Sequence, residues 1–447
     1  SKDRKADDGR TIDDIMASMT DNQGNPVYAN AVITEIGPEN LTSLPISVSS
    51  WAGSSSVEEA DRIADALGGV LASASTIWDE ERSQEVADAI SGSVDEEGEY
   101  GRVTALNAIL SRDDDGNGVN DLDFGSSFLI DLANKLDDID YKTIGRATAY
   151  PKYGDVVFGS EPVIGLGQAD TRAKILGDSM DWHSFDPMTG VLKAMGGNPD
   201  AALGYLAPAG GDGSVDTSRI DDLSARDWDE EGLSGFTAAL AAGSSLRTSE
   251  GDDQAARATS LADYGIHDLA QNTNAKNYTD GTKSHIGVLL ANCSAEVQEV
   301  FIKGNVTAVD RSDAPEFDAA SIDDINILTY RVIDNPNAAR TMSTGLAGYA
   351  RRCSAEGIAV HEGDPAGQTN SIREAYTNSA QAMGYLSGMA DQKAEDLNAS
   401  ARDKANENVS TAKTATSAFF TVAGAALGSA GGPVGAVAGG TAGKTAW

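Results

Sequence analysis

The residues whose types and spacing best suit chemistry lie in the acidic loop DDDGNGVNDLDF, residues 113–124. Asp113, Asp115, Asn117, the Val119 carbonyl and Asp121 fall at the first, third, fifth, seventh and ninth places of a calcium loop, with Gly118 at the turn. Oxygen ligands at those offsets suit a hard cation such as Ca²⁺. Phe124 stands where the bidentate Glu of such a loop belongs, with Asp123 beside it. The loop is either an incomplete Ca²⁺ site or a solvated acidic turn; no other cofactor is implied.

Catalysis finds less support. The four histidines, His183, His267, His285 and His361, are far apart in sequence and show no H-E-x-x-H spacing, and the chain carries no P-loop, G-x-S-x-G or dinucleotide fingerprint. Asp181-Trp182-His183 with Asp186-Pro187 reads as the capped entrance to a helix. A hydrolase would have to assemble its histidine site in space. Trp51-Ala52-Gly53 fits a W-x-G pattern, but three residues with one wildcard carry little information.

At the C-terminal end, Gly424, Gly428 and Gly432 fall four apart, and after Pro433 so do Gly435, Gly439 and Gly443. Glycine weakens a helix interior by about 1 kcal/mol relative to alanine. Six at this spacing point to a compensating use, the close approach of backbones seen in small-xxx-small membrane pairs. No residue from Ala418 to Ala442 is charged. Each half is shorter than the roughly 20 residues a bilayer span needs. The segment fits a kinked span, a shallow hairpin or a glycine-zipper hairpin packed on upstream helices; an unstructured Ala/Gly tail is the plainer alternative.

Composition bounds the partners. The 447 residues carry 33 basic and 69 acidic side chains, a formal charge of −36, which repels phosphate backbones at long range and excludes nucleic acid as a partner. Hydrophobic residues make up 40% of the chain and aromatics 6%, so the core must come from Ala, Leu, Val and Ile, a composition that favours closely packed helices. Cys293 and Cys353 are too few for a disulfide framework, leaving one bridge or two free thiols. The opening residues SKDRKADDGR lack the apolar stretch of a signal peptide, and the chain reads as a piece of something longer.

The elements that would position these residues are helical. Residues 1–50, broken by Gly, Pro and Asn, suggest an extended arm or linker. Ser56 to Glu59 form a capping box, and Val57, Ala60, Ile63, Ala64, Leu67, Val70, Leu71 and Ala74 recur at helical spacing. Further helices are expected over 79–91, 100–111, around Phe128 to Leu136, and from Asp186 or Thr189 to Met195. Asn198-Pro199 and Asn335-Pro336 each place a capping Asn before a proline at the first helical position. Helical patterns continue over 256–271, 284–302, 321–334, 336–358 and 370–412, with 207–218 and 243–256 as loops. The expected domains are an N-terminal helical domain over 51–150, a central one over 151–305, a C-terminal one over 306–413 and the Ala/Gly segment 414–447. The fold class is mainly α, as a multi-helix bundle or elongated trunk with irregular Gly-rich connectors.

Over 186–246 the order DPMTGVLKAMGGNPDAALGYLAP, IDDLSARDW and GFTAALAAG emerges. It resembles a segment of large actinobacterial helical proteins associated with type VII secretion and polymorphic toxins, with Asn198, Pro199, Ala201, Ala202, Arg226, Asp227 and Trp228 carrying the match. Looser similarity extends over about 55–400. The resemblance implies a long helical trunk with no active site to carry over, secreted or associated with the cell surface. The expected function is therefore a non-catalytic scaffold or delivery trunk. Its partners would be proteins, including a second copy or a secretion or toxin partner, with membrane contact through 418–442. Self-assembly into homo-oligomers and the spatially assembled hydrolase are the alternatives.

Overall fold

A computed structural model describes residues 9–45, 47, 57–95, 100–113, 119–139, 183–210, 214–248, 251–303 and 317–396. Among them the chain is mainly helical, and Ala209 and Val215 form an isolated antiparallel bridge. Two compact units emerge: residues 1–219 with 226–246, and residues 220–225 with 247–447. The stretch expected as one central domain over 151–305 is thus shared between them.

In the first unit, helices α1 (Ile12–Asn22) and α2 (Pro26–Ile36) occupy the stretch expected to be an extended arm. That expectation is corrected. Thr11 and Asp14 form a capping box, and Asn25 accepts from the Val27 and Tyr28 amides ahead of Pro26. The punctuation is a pair of helix starts. Met16, Met19, Ala29 and Ile33 are buried, and α1 and α2 pack on α3 (Val57–Ser75). After α3 come α4 (Glu80–Val94), α5 (Tyr100–Leu110), α6 (Ser126–Asp137), α7 (Met188–Gly196) and α8 (Pro199–Leu206).

Short α9 (Ser218–Ser224), whose residues from Ile220 belong to the second unit, comes next in the chain, and α10 (Glu230–Ser244) of the first unit follows. Helix α10 has no apolar stripe to find in the sequence, because Gly232, Leu233 and every residue from Gly235 to Ser244 is buried. A helix enclosed on all sides loses the amphipathic period. It packs on α7 and α8. A Cβ on Gly235 would sit 2.9 Å from the Thr189 carbonyl, so this glycine is what lets the two backbones meet.

The second unit is built from α11 (Asp252–Asn272), α12 (Asp280–Asn292), α13 (Ser294–Lys303), α14 (Ile322–Val332), α15 (Pro336–Val360) and α16 (Pro365–Asp396). The single helix expected over 284–302 is two, divided at Cys293, whose φ of −105° and ψ of 31° leave the helical region. Helix α16 begins at Pro365, five residues before the expected start. Helices α15 and α16 form an antiparallel hairpin about 35 to 50 Å long at 1.5 Å per residue, turned through Gly363 at φ +84°. From Ala355 to Ala366 every residue except Gly357 is exposed. Residues 150–180, Trp51-Ala52-Gly53 and the segment 414–447 with Gly424, Gly428, Gly432, Pro433, Gly435, Gly439 and Gly443 lie outside the described residues.

Candidate functional site

The segment 186–246 supplies the most connected polar cluster of the first unit. Asp186, 4% exposed, precedes α7, and its Oδ1 accepts from the Met188 amide at 3.0 Å. Arg226 grips the same carboxylate with Nε to Oδ2 at 2.6 Å and Nη2 to Oδ1 at 2.9 Å, while its Nη1 lies 3.5 Å from Asp137. Its guanidinium stands 5.3 Å from the centre of the Trp228 ring, and that ring stacks on Phe236 at 6.1 Å. Burial raises Asp186 above the usual carboxylate range, opposed chiefly by Arg226. The R-D-W motif thus fastens the start of α7 and the approach to α10.

Beside it, Glu231 gathers three donors or partners: Lys193 Nζ at 2.6 Å, the Ser184 amide at 2.5 Å and His183 Nδ1 at 2.9 Å. Burial alone would raise its pKa, but His183 and Lys193 together bring it down to about 2. From α5, buried Asn107 donates to the Ser184 and Asp186 carbonyls at 2.7 and 2.9 Å and accepts from the Gly190 amide at 2.8 Å. Gly190 is required there, since a Cβ would lie 2.8 Å from the Asn107 Cα.

The second unit uses similar devices. Asp263, on α11, accepts from the Asp318, Ala319 and Ala320 amides at 2.7, 3.1 and 2.7 Å, securing the turn before α14. Arg247 holds Glu296 at 2.5 and 3.2 Å and the Asn292 carbonyl at 3.1 Å, with its guanidinium 5.2 Å from the centre of Phe317. Cys293, fully buried nearby, has its thiol pushed up to about 12 by burial. Neither cysteine is in a disulfide, and Cys353 is half-buried.

The two Asn-Pro signals share a role. Asn198 Oδ1 caps α8 through the Ala201 amide and takes the Ser126 hydroxyl, while its Nδ2 donates to the Phe124 carbonyl. Asn335 Oδ1 caps α15 and takes the Ser284 hydroxyl, and its Nδ2 donates to the Asp280 carbonyl. Each asparagine therefore ties a helix start to an earlier helix of its own unit.

The four histidines sit in four different surroundings. His183 bonds Glu231 in the first unit. In the second, His267 Nδ1 lies 3.0 Å from Asp324, His285 is buried on α12, and His361 is exposed at the hairpin turn. Among the described residues no three His, Cys, Asp or Glu side chains form a group that could hold a metal ion, and no helix is long and apolar enough to cross a membrane.

In the acidic loop, Asp115, Asn117 and Gly118 lie outside the described residues. Asp113 and Asp121 are described, and Val119 is 45% exposed. Asn120 closes this end of the loop, donating to the Leu110 carbonyl at 2.5 Å and accepting from the Leu122 amide at 2.8 Å. Phe124, at the twelfth position, is buried and stacks on Phe128 at 6.2 Å. That position serves the core rather than a cation.

Polar clusters of this kind, each enclosed by helices and each anchoring a helix start or turn, define an all-α protein of two units. The chain belongs to a family of unknown function, DUF6571, whose match covers residues 1–446. No curated protein and no solved structure matches it.

Proposed function

We propose that the chain is a non-catalytic helical scaffold or delivery trunk of an exported bacterial protein, of the type VII secretion or toxin-associated kind, secreted or held at the cell surface. The observation that carries this reading is the α15–α16 hairpin, whose outer turns from Ala355 to Ala366 are almost wholly exposed and present Ile358 and Val360 at 39% and 78% exposure. A two-helix arm of this length offers a long surface for association. The engagement of Arg226, Asp186, Asn107 and Asp263 in holding helix starts supports a structural role for the segment whose sequence resembles the secretion-associated proteins. In this reading the charge-free segment 418–442 packs against a partner or a membrane.

Two measurements test it. Tagged chain produced in its own host is expected at the cell surface or in the medium; complete retention in the cytosol overturns the export reading. Purified chain is expected to float with liposomes through 418–442, and equal flotation of a chain ending at 413 ends the membrane version. The exposed hairpin also favours self-assembly, for which light scattering would read a dimer or larger species. A strict monomer at micromolar concentration counts against that. The His183–Glu231 contact has the geometry of an oriented base, so a hydrolase would lose its activity in His183→Asn.

A further inference from the structure

The segment 220–225 belongs to the second unit, where Ile220 and Leu223 are buried and Ser224 Oγ accepts from Asn272 Nδ2 of α11 at 2.9 Å. One turn earlier on α11, Asp268 is 4% exposed, and its Oδ2 is buried without a hydrogen-bond partner among the described residues. The side chain facing it is another acid, Asp221, which is itself exposed. Two ionised carboxylates are acceptors only and cannot bond each other. A single proton between them makes one a donor and satisfies the buried oxygen.

We propose that Asp221 and Asp268 share one proton, and that this proton latches the 220–225 segment onto α11 so that its docking responds to pH. Charged or titratable groups around Asp268 include Asp221 from the segment, His267 on α11 itself and Asp324 on α14, and Arg331 of α14 donates to the neighbouring Leu269 carbonyl at 3.1 Å. Asp324 is occupied by the Ser321 amide, His267 and Gln271, which hold it ionised below its usual range. It therefore adds negative charge without competing for the proton, while His267 opposes. Burial and Asp221 push the Asp268 carboxyl up to about 7.

The direction follows from linkage. The docked state holds a proton that the released state, with an ordinary carboxyl near 4, gives up. Release therefore becomes easier as pH rises from about 4 to about 7, by up to about tenfold per pH unit, and levels off above. Hydrogen exchange of the full chain, corrected for intrinsic rates, reads this as protection of the amides in 220–225.

Native protein is expected to lose up to about 100-fold protection between pH 5 and pH 7. Asp268→Asn, whose amide donates to Asp221 without titrating, is expected to keep a flat, protected profile. Should that variant not fold, Asp221→Asn supplies the donor from the exposed side and should flatten the profile equally. A flat profile in the native chain, or a slope surviving both substitutions, overturns the proposal. So does a change at fixed pH that follows added Ca²⁺ or Na⁺, which would make the shared ligand a metal cation.

Discussion

Replacing Arg226 with methionine tests whether the R-D-W motif is a structural fastening. The substitution keeps most of the aliphatic stem but removes the guanidinium that makes two short bonds to Asp186, a carboxyl only 4% exposed. Removing one partner of a buried pair strands the other charge and costs about 3–5 kcal/mol, a large part of the roughly 5–15 kcal/mol that stabilises a domain. With a urea slope of about 3 kcal/mol/M, the first unit should unfold at a midpoint lower by about 1 M or more.

The same substitution carries a pH signature. Burial already raises Asp186, and Arg226 is the main group opposing it; without the arginine the carboxyl rises further. A group raised in the folded state favours folding at low pH and loses that contribution as pH climbs. The deficit of Arg226→Met should accordingly be largest near neutrality and shrink towards pH 4. Asp186→Asn, combined with Arg226→Met, removes the stranded charge and should recover part of the loss. A loss below about 0.5 kcal/mol, the range of ordinary surface changes, or no recovery in the double variant, would refute the reasoning.

Other outcomes are expected. Gly287→Ala should destabilise the second unit by about 1–3 kcal/mol in thermal melts, despite alanine's helix propensity, because the new Cβ would sit 2.5 Å from the Ala338 Cα where α12 crosses α15. Glu231→Gln should lose stability at neutral pH and converge with the native chain in acid, since a carboxyl lowered from 4.5 to about 2 contributes above its ordinary value and loses that contribution as pH falls towards 2. Cys293 should react with a thiol reagent only after unfolding, its thiol being buried and pushed up to about 12; labelling in the native chain at the rate of a free thiol would contradict this placement. If the loop 113–123 takes Ca²⁺, millimolar calcium should raise the melting temperature and Asp113→Ala should remove the rise.

The helices with one apolar stripe were legible in the sequence. Ala60, Ile63, Ala64, Leu67, Val70, Leu71 and Ala74 predict α3, and Asn198-Pro199 and Asn335-Pro336 predict the starts of α8 and α15. Local spacing and capping chemistry suffice for these, because a helix buried on one face writes its period into the chain. The same Asn-Pro signal stands at Asn25-Pro26 and starts α2, within the residues 1–50 whose Gly, Pro and Asn suggest an extended arm, although the capping rule applies there unchanged.

Tertiary structure alone decided which polar residues meet. Arg226 finds Asp186 across forty residues, Asp263 finds the amides of 318–320, and Asp221 comes to face Asp268. None of these pairings has a period or a spacing, since a side chain's partner depends on how two helices cross and not on their separation along the chain. Helix α10 was hidden for a related reason: enclosure on every side erases the contrast between faces from which a sequence pattern is read.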